Sequence, residues 1–334
     1  MIKSKKLVIA VALIAVCTVS SFAQEVTFEN KLSSGLVNIN ISDDSTDTSF
    51  AGFTNETKAE YSSDKLDFGV TLKFNIEKKD DSLAFGTGDF ADDYFVEFRP
   101  FDFLGIGFHR SYCIAGSYLP CLDGELAEAN IGSDFGLFVR PIEGLVISGG
   151  LDFISYFGKE NEKPIINFGA EYTLSELVAF GVAARNIASD DRTIGAYASY
   201  TGVEGLTINA GFTMNGNLED YAVTGNLINA AVMFNKEALG IYAEGFFAVG
   251  GEKDADNELY AGANISYQIT DVISASLFGI FINDFDNDDS WCVGINPSAS
   301  FQITEHNSVG AGVFVNLMKS ITTISFPVFW KYVF

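Results

Sequence analysis

The chain has 334 residues, 48% of them hydrophobic, and 20 Lys and Arg stand against 44 Asp and Glu for a net charge of −24. So acidic a chain is a poor partner for nucleic acid, whose binding is dominated by neutralising phosphates with Lys and Arg. After Val19 no apolar run approaches the roughly 20 residues of a membrane helix, so the hydrophobic content belongs either to a large soluble core or to strands that span a membrane.

Lys3, Lys5 and Lys6 precede an apolar run over residues 7–19, followed by Ser20, Ser21, Phe22 and Ala23. A basic start, a run too short to cross a bilayer and small residues at the peptidase positions predict a secretory leader over residues 1–23, cleaved after Ala23. Residues 24–334 then form one domain with a net charge of −27, because three lysines leave with the leader. Cys17 invites a lipoprotein reading, but Val16 before it is bulkier than a lipid-attachment motif usually accepts, and the cysteine is read as lost with the leader.

From about residue 34 onward, segments of period-two alternation follow one another. The clearest is 66–76, where Leu66, Phe68, Val70, Leu72, Phe74 and Ile76 share one face while Asp67, Gly69, Thr71, Lys73 and Asn75 share the other. A sheet with one apolar and one wet face produces that pattern. Short turns are expected near 63–64, 100–102, 141–144, 174–176, 202–205, 236–237, 270–271 and 304–306. Long polar connections are expected at 43–49, 78–93, 111–130, 158–163, 187–192, 215–226, 250–258, 283–290 and 317–320. Turns that alternate between short and long describe an antiparallel meander. Closed into an all-β, up-and-down transmembrane barrel, it has about 18 strands, with 16 as the alternative. The short turns would face the periplasm and the long ones the cell exterior.

At the C-terminus Ile324, Phe326, Val328, Trp330, Tyr332 and Phe334 alternate, and the chain ends on an aromatic residue. Pro327 interrupts the other face and, lacking an N–H, should remove one ladder bond at the closing seam. The stripe resembles the terminal assembly signal of Gram-negative outer-membrane barrels, carried by Trp330, Tyr332 and Phe334. With the leader and the turn rhythm, the whole domain resembles the porin-like class of those barrels. The resemblance implies location in the cell outer membrane, secretion through the general pathway, contact with outer-membrane lipid, engagement of the barrel-assembly machinery through the last strand, and a monomeric or homo-oligomeric passive diffusion channel. No cofactor and no metal are implied, and no plug or appended domain is expected.

Strand parity turns Lys58, Glu60, Asp67, Lys73, Glu97, Arg99, Asp134, Arg140, Asp152, Glu171, Arg185 and Glu244 inward as candidate pore-lining residues. Seven acids against five bases predict modest cation preference, since carboxylate rings favour cations; the competing reading is that these charges pair across strands and select nothing. In porins the third outer loop often narrows the pore, and here it carries Asp123, Glu125 and Glu128 as constriction candidates. Cys113 and Cys121 in that loop are candidates for a disulfide, which an oxidising envelope permits. Cys292 is read as a small wall residue.

Two other chemistries are weighed. His109 and Ser111 stand as in outer-membrane phospholipases, but Leu104, Ile106 and Phe108 facing lipid turn His109 inward, so the expectation is that the chain is not an enzyme. Asp284, Asp286, Asp288 and Asp289 resemble a calcium loop only superficially, with Asp289 where that loop needs Gly and Ile295 where it needs Glu. A substrate-selective channel and a surface-exposed barrel acting through its loops, as an adhesin or antigen, are the alternatives to diffusion.

Overall fold

The structure, a computed structural model, describes residues 26–42, 44–50, 52–79, 82–86, 93–108, 135–152, 165–175, 177–187, 191–217, 222–250, 257–284 and 291–333. Its segments make 18 antiparallel strands closed into a barrel. The first half comprises β1 (Val26–Ser34 with Val37–Ser42), β2 (Thr46–Phe50 with Phe53–Ser62), β3 (Leu66–Lys79), β4 (Ser82–Gly86 with Asp93–Phe101), β5 (Leu104–Phe108), β6 (Phe135–Ile142), β7 (Leu145–Asp152), β8 (Ile165–Leu174) and β9 (Val178–Arg185). The second half comprises β10 (Asp191–Val203), β11 (Leu206–Asn217), β12 (Ala222–Lys236), β13 (Leu239–Gly250), β14 (Glu258–Thr270), β15 (Ile273–Asp284), β16 (Cys292–Thr304), β17 (Asn307–Gly312 with Phe314–Met318) and β18 (Ile321–Ser325 with Val328–Val333). Each strand pairs with its neighbours in sequence, and β1 pairs with β18 to close the ring. Closure satisfies the edge groups that lipid could not.

Alternation sorts the side chains into two shells. Phe98, Phe108, Phe168, Phe180, Val182 and Ile228 lie on one face and are 46% to 55% exposed. The register puts polar groups on the opposite face, where Glu97, Ser148, Asn167, Asn209 and Glu244 are buried. The first shell is the outer wall, which suits hydrocarbon, and the second is the interior. Inside, a recurring device fixes the register: a ring on one strand lies over a glycine of the preceding strand. Phe95 covers Gly69, Phe138 covers Gly105, Tyr197 covers Gly181 and Phe329 covers Gly310, each leaving no room for a Cβ. Cross-strand pairs of this kind hold neighbouring strands in one pairing.

The eight short turns fall where the sequence predicts them. Gly144 (φ +78°) and Gly205 (φ +75°) supply left-handed positions that other residues reach only with strain. Two turns share a chemistry: Thr270 Oγ1 accepts the N–H groups of Val272 and Ile273, and Thr304 Oγ1 those of His306 and Asn307. Each has a glutamine two residues earlier, Gln268 or Gln302, whose amide donates to the threonine carbonyl at 2.6 Å.

The long connections differ from expectation, because the ladder climbs into several of them. Thr46–Phe50 is strand, as are the ends of β11 and β12 up to Asn217 and down to Ala222. Polar residues there look like loop to a hydrophobic pattern, yet backbone pairing does not depend on lipid and continues where both faces are wet.

At the closing seam Pro327 does interrupt β18, and the neighbouring strands accommodate it. Gly35 O accepts from Phe326 N at 3.1 Å, Pro327 O accepts from Gly312 N at 2.9 Å, and Leu36 takes φ +51°. Ser34 Oγ accepts from Leu36 N at 2.9 Å and donates to Gly52 O. The bulge inverts parity: Ser33 and Asn38 both face inward, as do Ser49 and Thr54 in β2.

Candidate functional site

The candidate site is the interior wall, which the register divides into two arcs. The first runs from β18 through β1 to β6 and carries Lys31, Lys58, Lys73, Arg99, Arg140 and Lys331 on its inward face. Lys331 Nζ lies 2.7 Å from Glu29 Oε2 across the seam, Lys73 Nζ 3.5 Å from Glu56 Oε2 across β2 and β3, and Lys58 Nζ 2.9 Å from Glu60 Oε1 along β2. These pairs are partly exposed to the interior, so each contributes little to stability.

Arg99 is different. Its fork grips Asp67 with both terminal nitrogens at 2.8 Å and Glu97 at 3.0 Å, and it also donates to the carbonyls of Ser63 and, at 3.1 Å, Asp64. All its donors point at the β2–β3 turn or its flanking carboxylates, with Ser62 Oγ adding a 2.7 Å bond to Asp67. A planar fork suits this arrangement and an ammonium would not. Further round, Arg140 stacks on Phe138 with its guanidinium carbon 4.3 Å from the ring centroid.

The second arc spans β8 to β16. From β10 to β16 the register sets no lysine or arginine on the interior face. Three of its carboxylates accept from phenols: Tyr197 donates to Glu171, Tyr242 to Glu244, and Tyr260 to Glu258 at 2.8 Å. Phe246 stacks on Tyr260 with centroids 4.2 Å apart. Next comes a hydroxyl ladder, Ser274 with Ser300 at 2.6 Å and Ser276 with Ser298 at 2.7 Å, and Cys292 donates to Asn316 at 2.7 Å. Cys292 is thus the small wall residue the sequence suggests.

Of the residues singled out from sequence, Lys58, Glu60, Asp67, Lys73, Glu97, Arg99, Arg140, Glu171 and Glu244 stand on the interior face. Asp152 pairs with Ile165 and Arg185 with Thr193, which puts both on the same face by backbone register. Trp330, 40% exposed, and Phe326 lie on the outer stripe of β18, as does Tyr332 by register. The leader, His109, Ser111, Cys113, Cys121, Asp123, Glu125, Glu128, Asp134, Asp286, Asp288, Asp289 and Phe334 lie outside the described residues. His306 is an exposed turn residue 3.3 Å from Glu305.

Pattern reading missed Glu29, Lys31, Glu56, Glu258 and Lys331. Glu29 and Lys31 lie before residue 34, where the alternation was expected to begin, in a strand that starts at Val26, and Glu258 sits where a loop was expected. Glu56 and Lys331 obey simple parity and were legible. The phenol partners needed coordinates, since Tyr197 and Glu171 lie two strands apart.

Sequence comparison finds no family profile and no curated protein that matches this chain. Comparison with solved structures does find matches. OpdL of Pseudomonas aeruginosa superposes with a TM-score of 0.58 at 12% identity, over 93% of this chain and 99% of that one. OccAB4 of Acinetobacter baumannii gives 0.58 at 10%, over 93% and 99%. OprD of Pseudomonas aeruginosa gives 0.54 at 10%, over 93% and 95%. The chain has the fold of these outer-membrane channels, a closed antiparallel β-barrel of 18 strands. At these identities the likeness is one of fold, and the lining of this barrel has to be read from its own side chains.

Proposed function

We propose that the protein is a passive diffusion channel for small hydrophilic solutes across the outer membrane, with modest preference for cations and no catalytic role. One observation carries this reading: the interior face is polar or charged while the outer face is apolar, in a barrel of the strand number that leaves an aqueous channel. In this reading Lys58, Glu60, Asp67, Lys73, Glu97, Arg99, Asp134, Arg140, Asp152, Glu171, Arg185 and Glu244 line the pore, joined by Glu29, Lys31, Glu56, Glu258 and Lys331. The cation preference follows from how the charges are spread. In the first arc Lys58, Lys73, Arg99 and Lys331 stand beside carboxylates, and in the second Glu171, Glu244 and Glu258 accept hydrogen bonds from phenols, which are neutral and leave the carboxylate charge in place.

The test is conductance of the chain from residue 24, refolded in detergent and inserted into a planar bilayer under a salt gradient. Stable steps with a cation-side reversal potential are expected. A folded barrel that never conducts refutes the channel, and a reversal potential at zero refutes the preference. Reductant added on the loop side should alter the steps if Cys113 and Cys121 staple a constriction loop. A solute-selective channel is the second reading, favoured by the clustering of Lys31, Lys58, Lys73, Arg99, Arg140 and Lys331 on β18 and β1 to β6.

A further inference from the structure

Among the described residues, the outer wall breaks its own rule on β1 and β2. At mid-height the outward residues are apolar on strand after strand: Leu137, Phe168, Phe180, Phe212, Ile228 and Leu277 are examples, each more than a third exposed. On β1 and β2 the same positions hold Asn30, Asn55 and Thr57. They face outward because their neighbours in register, Glu29, Glu56 and Lys58, face in. Elsewhere among the described residues, outward polar side chains such as Arg192, Asn307 and Thr322 sit near strand ends. Asn55 and Thr57 lie seven and five residues from Ser62, where β2 ends. At about 2.5 Å of depth per residue for a tilted strand, that is roughly 12–18 Å into an apolar band about 25 Å tall.

Hydrocarbon has nothing to offer an amide, and burying one without a full set of partners is costly. Within the chain the three side chains satisfy one another in part. Asn30 Nδ2 donates to Thr57 Oγ1 at 2.7 Å and to Asn55 Oδ1 at 3.2 Å, and Asn55 Nδ2 donates back to Asn30 Oδ1 at 3.2 Å. One N–H of Asn55 and acceptor capacity on Asn30 are left over, both on the outer surface.

We infer that the β1–β2 wall is covered in the membrane by a second copy of this chain, with Asn30, Asn55 and Thr57 at the centre of the interface. An amide carries both donor and acceptor, so the patch is complementary to itself, as a symmetric contact between identical subunits requires. Leu32 and Phe28 frame it with apolar surface, and Ala59 beside it permits close approach. The inference rests on the barrel's place in the membrane and is independent of what passes through the pore.

Two measurements decide it, both on the chain from residue 24 refolded in mild detergent. In the first, light scattering gives the mass of the wild type and of the triple variant Asn30→Leu, Asn55→Leu, Thr57→Val, with heat-modifiable gel mobility reporting folding. An oligomeric wild type and a folded monomeric variant, with the dimer dissociation constant raised at least tenfold, are expected. A monomeric wild type, or a folded variant of wild-type mass, overturns the inference. In the second, a photoreactive benzoyl-phenylalanine replaces Thr57 or, on the far side of the barrel, Phe212. Homo-adducts from position 57 alone support the interface even if the triple variant fails to fold. No adduct at 57, equal adducts at both positions, or adducts only to lipid or another protein overturn it.

Discussion

Gly181→Val should force the Tyr197 ring off the interior wall, because the ring occupies the space a Cβ at 181 would take. Tyr197 is 6% exposed and its hydroxyl is bound to Glu171. A buried aromatic side chain removes roughly 150–250 Å² from solvent, so uncovering half of it at about 25 cal/mol/Å² costs about 2–3 kcal/mol. Losing the phenol–carboxylate bond adds about 1 kcal/mol, since interior water replaces part of it. Valine's better strand propensity returns up to about 1 kcal/mol, for a net destabilisation of about 2–3 kcal/mol. The control is Gly149→Val on the outer wall, where a Cβ would find only Asn167 O, 3.8 Å away, beside an apolar groove lined by Leu137, Leu151 and Phe168. That variant should be neutral to within about 0.5 kcal/mol or slightly stabilising. Urea unfolding in lipid vesicles, followed by tryptophan fluorescence and gel mobility, gives both values. In a Tyr197→Ala background Gly181→Val should lose most of its effect. An equal effect with and without the ring, or equal midpoints for the two glycine variants, would refute the reasoning.

Arg99→Met removes a cation from beside Asp67 and Glu97 and a donor from the Ser63 carbonyl, and should destabilise by about 2–4 kcal/mol, less than for a fully buried pair; Arg99→Lys should recover under half of that in the same unfolding assay. Thr270→Val removes the acceptor for two turn N–H groups and should cost roughly 0.5–1.5 kcal/mol, while the same change at the exposed Thr201 has a smaller effect on the urea midpoint. Combining Glu171→Gln, Glu244→Gln and Glu258→Gln should move the reversal potential towards zero with the unfolding free energy unchanged to within about 1 kcal/mol; an unmoved potential would place cation preference elsewhere.

The architecture was legible because membrane strands obey a rule that side chains alone can state: one face for lipid and one for water. Leu66 to Ile76 shows it in a single segment, and the turn rhythm points to about 18 strands, with 16 left open until closure of the ring decides for 18. The lining was legible where parity ran unbroken, as at Asp67, Glu97, Glu171 and Glu244. It was not legible in β1, where the bulge at Ser34 to Val37 inverts the faces, nor at Glu258, where a wet strand resembles a loop. Which charges meet was also beyond the pattern, because Arg99 reaches back to the preceding hairpin and Tyr197 reaches across two strands.

By itself, then, the sequence determined the fold class, the apolar stripe of β18 and the inward direction of most charges, since each follows from local alternation along one strand, and it narrowed the strand number to 18 or 16 through the turn rhythm. Only the tertiary structure decided the parity switch at the seam, the division of the wall into a paired cationic arc and a phenol-bound carboxylate arc, and the meeting of Asn30 with Asn55 and Thr57 on the outer wall. These depend on register between strands, which is set by closure of the whole ring and leaves no trace in the periodicity of any one segment.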